Sequence, residues 1–150
     1  GDLLVFLLCG PALSMGIAIA ATGTIHPLTI ILGGYFGFIA CGILNANNLN
    51  DIRVDVASGS KTLASVLGFN HARWLQVLYY LAAFVCLFIL SVYVGGWVVL
   101  PIILLPVLVR HFLIIFKAQD SDQESLNEIR FDAAKLHLLL SIAVCIGLTI

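Results

Sequence analysis

Two aspartates four residues apart, Asp51 and Asp55, follow a cluster of asparagines in the stretch Asn45–Gly68, which reads NANNLNDIRVDVASGSKTLASVLG. If Asn45–Val56 is helical, Asn47, Asp51, Asp55 and Asn48 fall at about 0°, 40°, 80° and 100° around the axis. One stripe then carries two carboxylates and two amides, and Arg53 points to the other side. An all-oxygen stripe suits a hard cation such as Mg²⁺, which takes one or two carboxylates and completes its shell with water and substrate phosphates. Gly59 is placed to end the helix. Beyond it Lys61 offers a point charge and Thr62 a hydroxyl. Carboxylate pair, Mg²⁺ and lysine together make a place for a diphosphate. The default reading of an exposed DxxxD is a solvated helix face. Three asparagines within four positions favour a binding site instead, because they are poor helix formers and costly near a membrane unless paired.

The elements that must position this island are apolar. Hydrophobic residues make up 61% of the 150, and charged residues only 10%, against about 25% in a soluble domain. Such a chain cannot cover a water-facing surface, and its class is all-α integral membrane protein. The near-neutral net charge of −1 argues against a nucleic-acid partner. Five stretches approach the roughly 20 apolar residues a spanning helix needs: Leu3–Thr22, Pro27–Leu44, Ala72–Val94, Trp97–Phe116 and Ala133–Ile150. Pro11, Pro101 and Pro106 are expected to kink the first and fourth. Gly33 and Gly37 have the GxxxG spacing of close helix packing. The four cysteines lie scattered in apolar segments without metal spacing and read as small buried hydrophobes.

The connections alternate. Gly23–His26 and Gly95–Gly96 are short and carry no Lys or Arg; Asn45–His71 and Lys117–Asp132 are polar. All seven basic residues fall on the side of the two polar loops or at span ends facing it. The positive-inside rule makes that side cytoplasmic, so the first span runs from inside to outside. His71 and Arg73 read as interfacial anchors, and Arg110 and His111 as residues that snorkel to the surface. His137 and Lys135 begin the last span, where a substrate role is the minority reading. Asp2 lies on the side of the island. The loop Asp120–Glu128 is a solvated connector or a lid.

The pattern N-N-x-x-D-x-x-x-D-x-x-x-G-x-x-T-L-A, carried by Asn47, Asn48, Asp51, Asp55, Gly59, Thr62, Leu63 and Ala64 with Gly68 beyond, resembles the second aspartate-rich motif of the UbiA superfamily of membrane prenyltransferases. Within it the match is nearest the branch that prenylates 1,4-dihydroxy-2-naphthoate in menaquinone synthesis. Weaker likeness extends through GDLLVFLLCGP at the start and Leu126-Asn127 before the last span. The resemblance implies about nine transmembrane helices around a central cavity, with two aspartate-rich motifs that set Mg²⁺ on a prenyl diphosphate at the cytoplasmic end. Only the second motif is present. The chain 1–150 is therefore expected to be the C-terminal half of such a domain, helices five to nine, inactive without its N-terminal half. The start on an apolar span points the same way. Carried over, Asp51 and Asp55 hold the metal and act in catalysis with Lys61, while Asn47, Asn48, Lys61 and Thr62 bind substrate. The partners implied are a polyprenyl diphosphate, an aromatic acceptor and the bilayer. The implied place is a bacterial inner membrane, with the site facing the cytoplasm. Asn50 stands where the branch has Arg, and Ser60 where it has Lys. These departures bear on the acceptor, so a 4-hydroxybenzoate-like substrate is the alternative.

Three other classes compete. Half of a cation-coupled transporter would place ionisable groups at mid-membrane, where these spans show none. A CDP-alcohol phosphotransferase would carry DG and AR before its later aspartates; here Ala72-Arg73 follows them. A silent assembly subunit would not need both aspartates.

Overall fold

A computed structural model describes residues 1–150. All of its regular structure is helical. Five helical segments are long and apolar enough to cross a membrane: Asp2–Thr22, Pro27–Asn50, Phe69–Val94, Gly96–Lys117 and Gln123–Thr149. In a bilayer each backbone N–H and C=O must be paired inside its own segment, which leaves the helix as the open solution for these sequences.

The first span is α1 (Asp2–Leu7), a π-helical stretch (Leu8–Ala12) and α2 (Leu13–Thr22). Pro11 lacks an N–H, and the chain around it widens into the π turn, with Gly10 at φ −114°, ψ −108°. The second span, α3 (Pro27–Asn50), begins on an N-terminal proline whose missing N–H costs nothing there. Two short helices follow, α4 (Ile52–Ser58) and α5 (Leu63–Leu67). The third span is α6 (Phe69–Val94). The fourth starts as a 3₁₀ stretch (Gly96–Leu104) containing Pro101 and continues as α7 (Leu105–Lys117), with Pro106 in its first turn. The last, α8 (Gln123–Thr149), is capped by the Asp122 side chain. The proline kinks expected in the first and fourth spans are thus a π turn and a 3₁₀ turn.

α3 is the centre of the bundle, packed against the first span, α6 and α8. The main core joins Tyr35 and Ile39 of α3, Tyr80 and Leu87 of α6, Leu108 of α7 and Leu136 and Leu140 of α8. The Tyr35 hydroxyl donates to the Leu140 carbonyl at 3.0 Å, satisfying a polar atom that lipid could not.

Small residues decide how closely the first two spans approach. A Cβ on Gly33 would lie 2.7 Å from Pro11 Cα, and one on Gly37 2.7 Å from the Phe6 carbonyl oxygen. The GxxxG pair therefore lets α3 lie directly on the backbone of the bent first span. Gly33→Ala is expected to destabilise the detergent-solubilised protein by about 1–3 kcal/mol, as overpacking does. Gly16→Ala, with open space around it, serves as the control and leaves the unfolding midpoint unchanged or slightly raised.

Candidate diphosphate site at the polar end of the bundle

α3 carries its polar residues past the apolar core, and a buried side-chain network holds that end in place. Asn45 Nδ2 donates to the Ala72 carbonyl at 3.0 Å and to Gln76 Oε1 at 2.7 Å. Gln76 Nε2 donates to the Gly42 carbonyl at 3.0 Å and lies 3.4 Å from His111 Nε2. Backbone carbonyls only accept, so they fix the orientation of both amides. The second N–H of Gln76 then faces His111 Nε2, which accepts, and the imidazole proton sits on Nδ1. His111 is buried, with its ring edge-on to Tyr80. It does not snorkel: the face of α7 that bears it packs inward, while its neighbour Arg110 is exposed and pairs with Glu128 at 3.1 Å.

From this anchorage the chain continues upward to the aspartates. The helix does not run unbroken through Asn45–Val56. It turns at Asp51, whose backbone sits at φ −99°, ψ 5°, the sparsely allowed bridge region. The i→i+4 ladder nevertheless persists: Asp51 N–H donates to Asn47 at 3.0 Å and Asp55 N–H to Asp51 at 2.9 Å. Asn47, Asp51 and Asp55 therefore still stack on one line, with Cβ atoms about 5–6 Å apart. Asp51 is exposed and Asp55 half-buried. The Asn47 and Asn48 side chains make no hydrogen bond within the chain and are free to serve as ligands.

Gly59 ends α4 in the left-handed conformation, φ 74°, and the chain folds back. Thr62 caps α5: its hydroxyl oxygen accepts from Ser65 N–H at 3.1 Å, and Ser65 Oγ accepts from Thr62 N–H at 2.9 Å. The same Thr62 hydroxyl donates to Asp55 Oδ2 at 3.2 Å. Asn50 Nδ2 donates to Asp51 Oδ1 at 2.6 Å, and Gln123 Nε2 donates to Asn50 Oδ1 at 2.8 Å. Each carboxylate is thus oriented by a neutral donor through one oxygen. Lys61 is exposed in the loop between α4 and α5 and makes no ion pair or side-chain hydrogen bond. No three His, Cys, Asp or Glu side chains gather into a complete metal site. Two carboxylates with amide neighbours fit a hard ion that is shared with phosphate oxygens and water.

The second polar loop flanks the island. Arg53, on the far side of α4 from the aspartates, reaches Asp120 at 3.4 Å. Asp122 is held below the ordinary carboxylate range by hydrogen bonds from the Ser125 hydroxyl and N–H. Asp2 accepts from the Tyr79 hydroxyl at 2.7 Å and makes no contact with Asp51 or Asp55. His71 is exposed, as expected of an interfacial residue. His137 lines an apolar cavity of 580 Å³ between the first, second and fifth spans, with Phe36 and Ser141. The sequence reading missed the Asn45–Gln76–His111 network. Its one signal was Gln76, an amide in the middle of an apolar run.

The chain is thus an all-helical bundle of membrane-spanning length, with a carboxylate pair at the end that bears its polar loops. Residues 1–140 match the UbiA prenyltransferase family, and the chain belongs to that family. It is 36% identical over 107 residues to UbiA prenyltransferase domain-containing protein 1 of Dictyostelium discoideum, covering 71% of this chain and 32% of that protein. It is 29% identical to the 1,4-dihydroxy-2-naphthoate octaprenyltransferases of Haemophilus influenzae, over 76% of this chain and 37% of the relative, and of Escherichia coli, over 80% and 40%. The chain thus spans between a third and two fifths of the length of these relatives. No solved structure matches it.

The network gives a test of what supports the aspartates. Gln76→Leu, similar in bulk but without the amide, is expected to cost about 1–2 kcal/mol and to raise hydrogen exchange at the C-terminal end of α3. Unchanged exchange at Asn45–Asn50 would show that the network does not hold that end.

Proposed function

We propose that this chain supplies the second half of a diphosphate site in an enzyme that transfers a polyprenyl group from a polyprenyl diphosphate to an aromatic acceptor. The observation that carries this is the stacking of Asn47, Asp51 and Asp55 on one line at the cytoplasmic mouth, with Thr62 donating to Asp55, in a chain of the UbiA prenyltransferase family. Mg²⁺ held by Asp51 and Asp55 would supply charge neutralisation at the departing diphosphate. The residues of the chain do the rest. Thr62 and Asn50 aim the two carboxylates, and Asn47 and Asn48 offer amides to phosphate oxygens. Lys61 approaches the anion once it binds. The apolar spans below keep water from the allylic carbon while the aromatic ring attacks it.

The acceptor we favour is 1,4-dihydroxy-2-naphthoate, which places the protein in menaquinone biosynthesis. Support comes from the paired asparagines of the motif and from the names of the two bacterial relatives. A 4-hydroxybenzoate-like acceptor is the alternative, because Asn50 and Ser60 replace the basic residues of that branch. The basic residues on the island side support a cytoplasmic active site, in a bacterial inner membrane. A matching carboxylate cluster in an N-terminal half completes the clamp, and the 150-residue chain alone is inactive.

In the full-length protein, Asp51→Ala and Asp55→Ala are each expected to lower prenyl transfer about a hundredfold or more, and chelation of Mg²⁺ to abolish it. Product is measured by chromatography with a panel of hydroxylated aromatic acids. Wild-type turnover by both alanine variants would overturn the mechanism. Turnover with 4-hydroxybenzoate in preference to the naphthoate would overturn the acceptor alone.

A further inference from the structure

Away from the aspartates, the charges of the cytoplasmic face do not balance at one place, where the start of α6 meets the end of α7. An open cleft of 480 Å³ lies there, lined by Phe69, Asn70, Arg73, Phe116, Lys117 and Asp120 among others. The guanidinium of half-buried Arg73 is fixed in it. Nη1 donates to the Phe116 carbonyl at 3.2 Å, and Nη2 donates to Asn70 Oδ1. The group lies 5.2 Å from the ring centre of Phe69 and 5.5 Å from that of Phe116. Its Nε–H is buried and finds no acceptor within the chain.

Arg53, Arg110 and Lys135 each meet a carboxylate; Lys61, Arg73, Lys117 and Arg130 meet none, and of these four only Arg73 and Lys117 line this cleft. Asp120, the carboxylate of the cleft, is engaged by Arg53 at 3.4 Å. A neighbouring cleft of 340 Å³ shares Phe69 and Asp120 and adds Arg53 to its lining. A half-buried cation without a counter-ion is costly, and here it is held rigidly rather than released to water. The arrangement calls for an anion. Arg73 is in the second turn of α6 and Lys117 is the last residue of α7, so both sit where a spanning helix leaves the hydrocarbon. That is the depth of lipid phosphates. Neither Asp51 nor Asp55 lines either cleft, so this is not the metal–diphosphate site.

We propose that the cleft between Arg73 and Lys117 binds the phosphate group of an anionic phospholipid. The planar guanidinium, held beside Phe69 and Phe116, presents the remaining hydrogens of Nη1 and Nη2 to phosphate oxygens. Lys117 closes on a third, and the remainder of the headgroup extends along the Arg53 side. The bound lipid ties the end of α7 to the start of α6. The inference stands apart from the prenyl-transfer reading, since it needs only the membrane orientation.

The test is native mass spectrometry of the full-length protein released from nanodiscs containing phosphatidylglycerol and phosphatidylcholine. The wild type is expected to retain one phosphatidylglycerol. Arg73→Gln and Lys117→Gln each weaken that binding about fivefold, the worth of one basic residue at a membrane surface. Arg110→Gln, which removes a cation already paired with Glu128, leaves it unchanged. Lys117 is exposed, so its variant folds even if loss of the Arg73 stack disturbs packing. Unchanged phosphatidylglycerol binding by Lys117→Gln overturns the site. So does equal weakening by Arg110→Gln, or retention of phosphatidylcholine as strongly as phosphatidylglycerol. A second arm adds inorganic phosphate or pyrophosphate and follows the unfolding midpoint. If either stabilises the wild type but not Lys117→Gln, while phosphatidylglycerol binding is the same in both, the lipid assignment is overturned in favour of a soluble phosphate.

Discussion

The C-terminal end of α3 is held to α6 and α7 by hydrogen bonds among Asn45, Gln76 and His111, and everything proposed for the site depends on that attachment. The aspartates stand one and two turns beyond Asn47 on the same helical line. A helix end that frayed there would leave them to solvent as an ordinary acidic turn. The network is buried, and its amide orientations are fixed by the carbonyls of Ala72 and Gly42. In lipid, such groups have no water to fall back on. The same feature that makes an amide costly in an apolar span makes it a precise clamp once it is paired.

The second constraint is distance. α3 must sit at the centre of the bundle, and the glycines facing Pro11 and Phe6 allow it to approach the first span backbone to backbone. That span bends at its π turn to follow. The tyrosine and leucine core beneath, from Tyr35 to Leu140, sets the remaining neighbours. The packed bundle thus sends one rigid helix upward. The short helices α4 and α5, joined by the Gly59 turn and the Thr62 cap, fold the island back onto its own carboxylates.

Much of this was legible in the residues. Hydropathy alone finds five spans. The polar island stands out as the interruption that joins two aspartates to a run of asparagines. What remained hidden depends on which helix faces meet. Asp51 sits on a turn beside Asn50, which donates to its carboxylate and accepts from Gln123, a partner 73 residues from Asn50 in sequence. His111 looks like a snorkelling residue beside Arg110, yet the face of α7 decides that one is buried and the other exposed. Arg73 looks like an anchor, and only the fold sets it between Phe69 and Phe116. Span bounds shifted as well: α6 and α8 begin earlier than their apolar runs, and the start of α8 is fixed by the Asp122 cap.

The central claim is that Asp51 and Asp55 hold a prenyl diphosphate through Mg²⁺. It is tested most directly by binding, without turnover, in the full-length protein. A non-reactive thiolodiphosphate analogue of a polyprenyl diphosphate would be titrated by calorimetry with and without Mg²⁺, in wild type and in Asp51→Asn and Asp55→Asn. The account predicts Mg²⁺-dependent binding in the wild type and loss of that dependence in both variants. Equal, Mg²⁺-dependent affinity in all three proteins would contradict it.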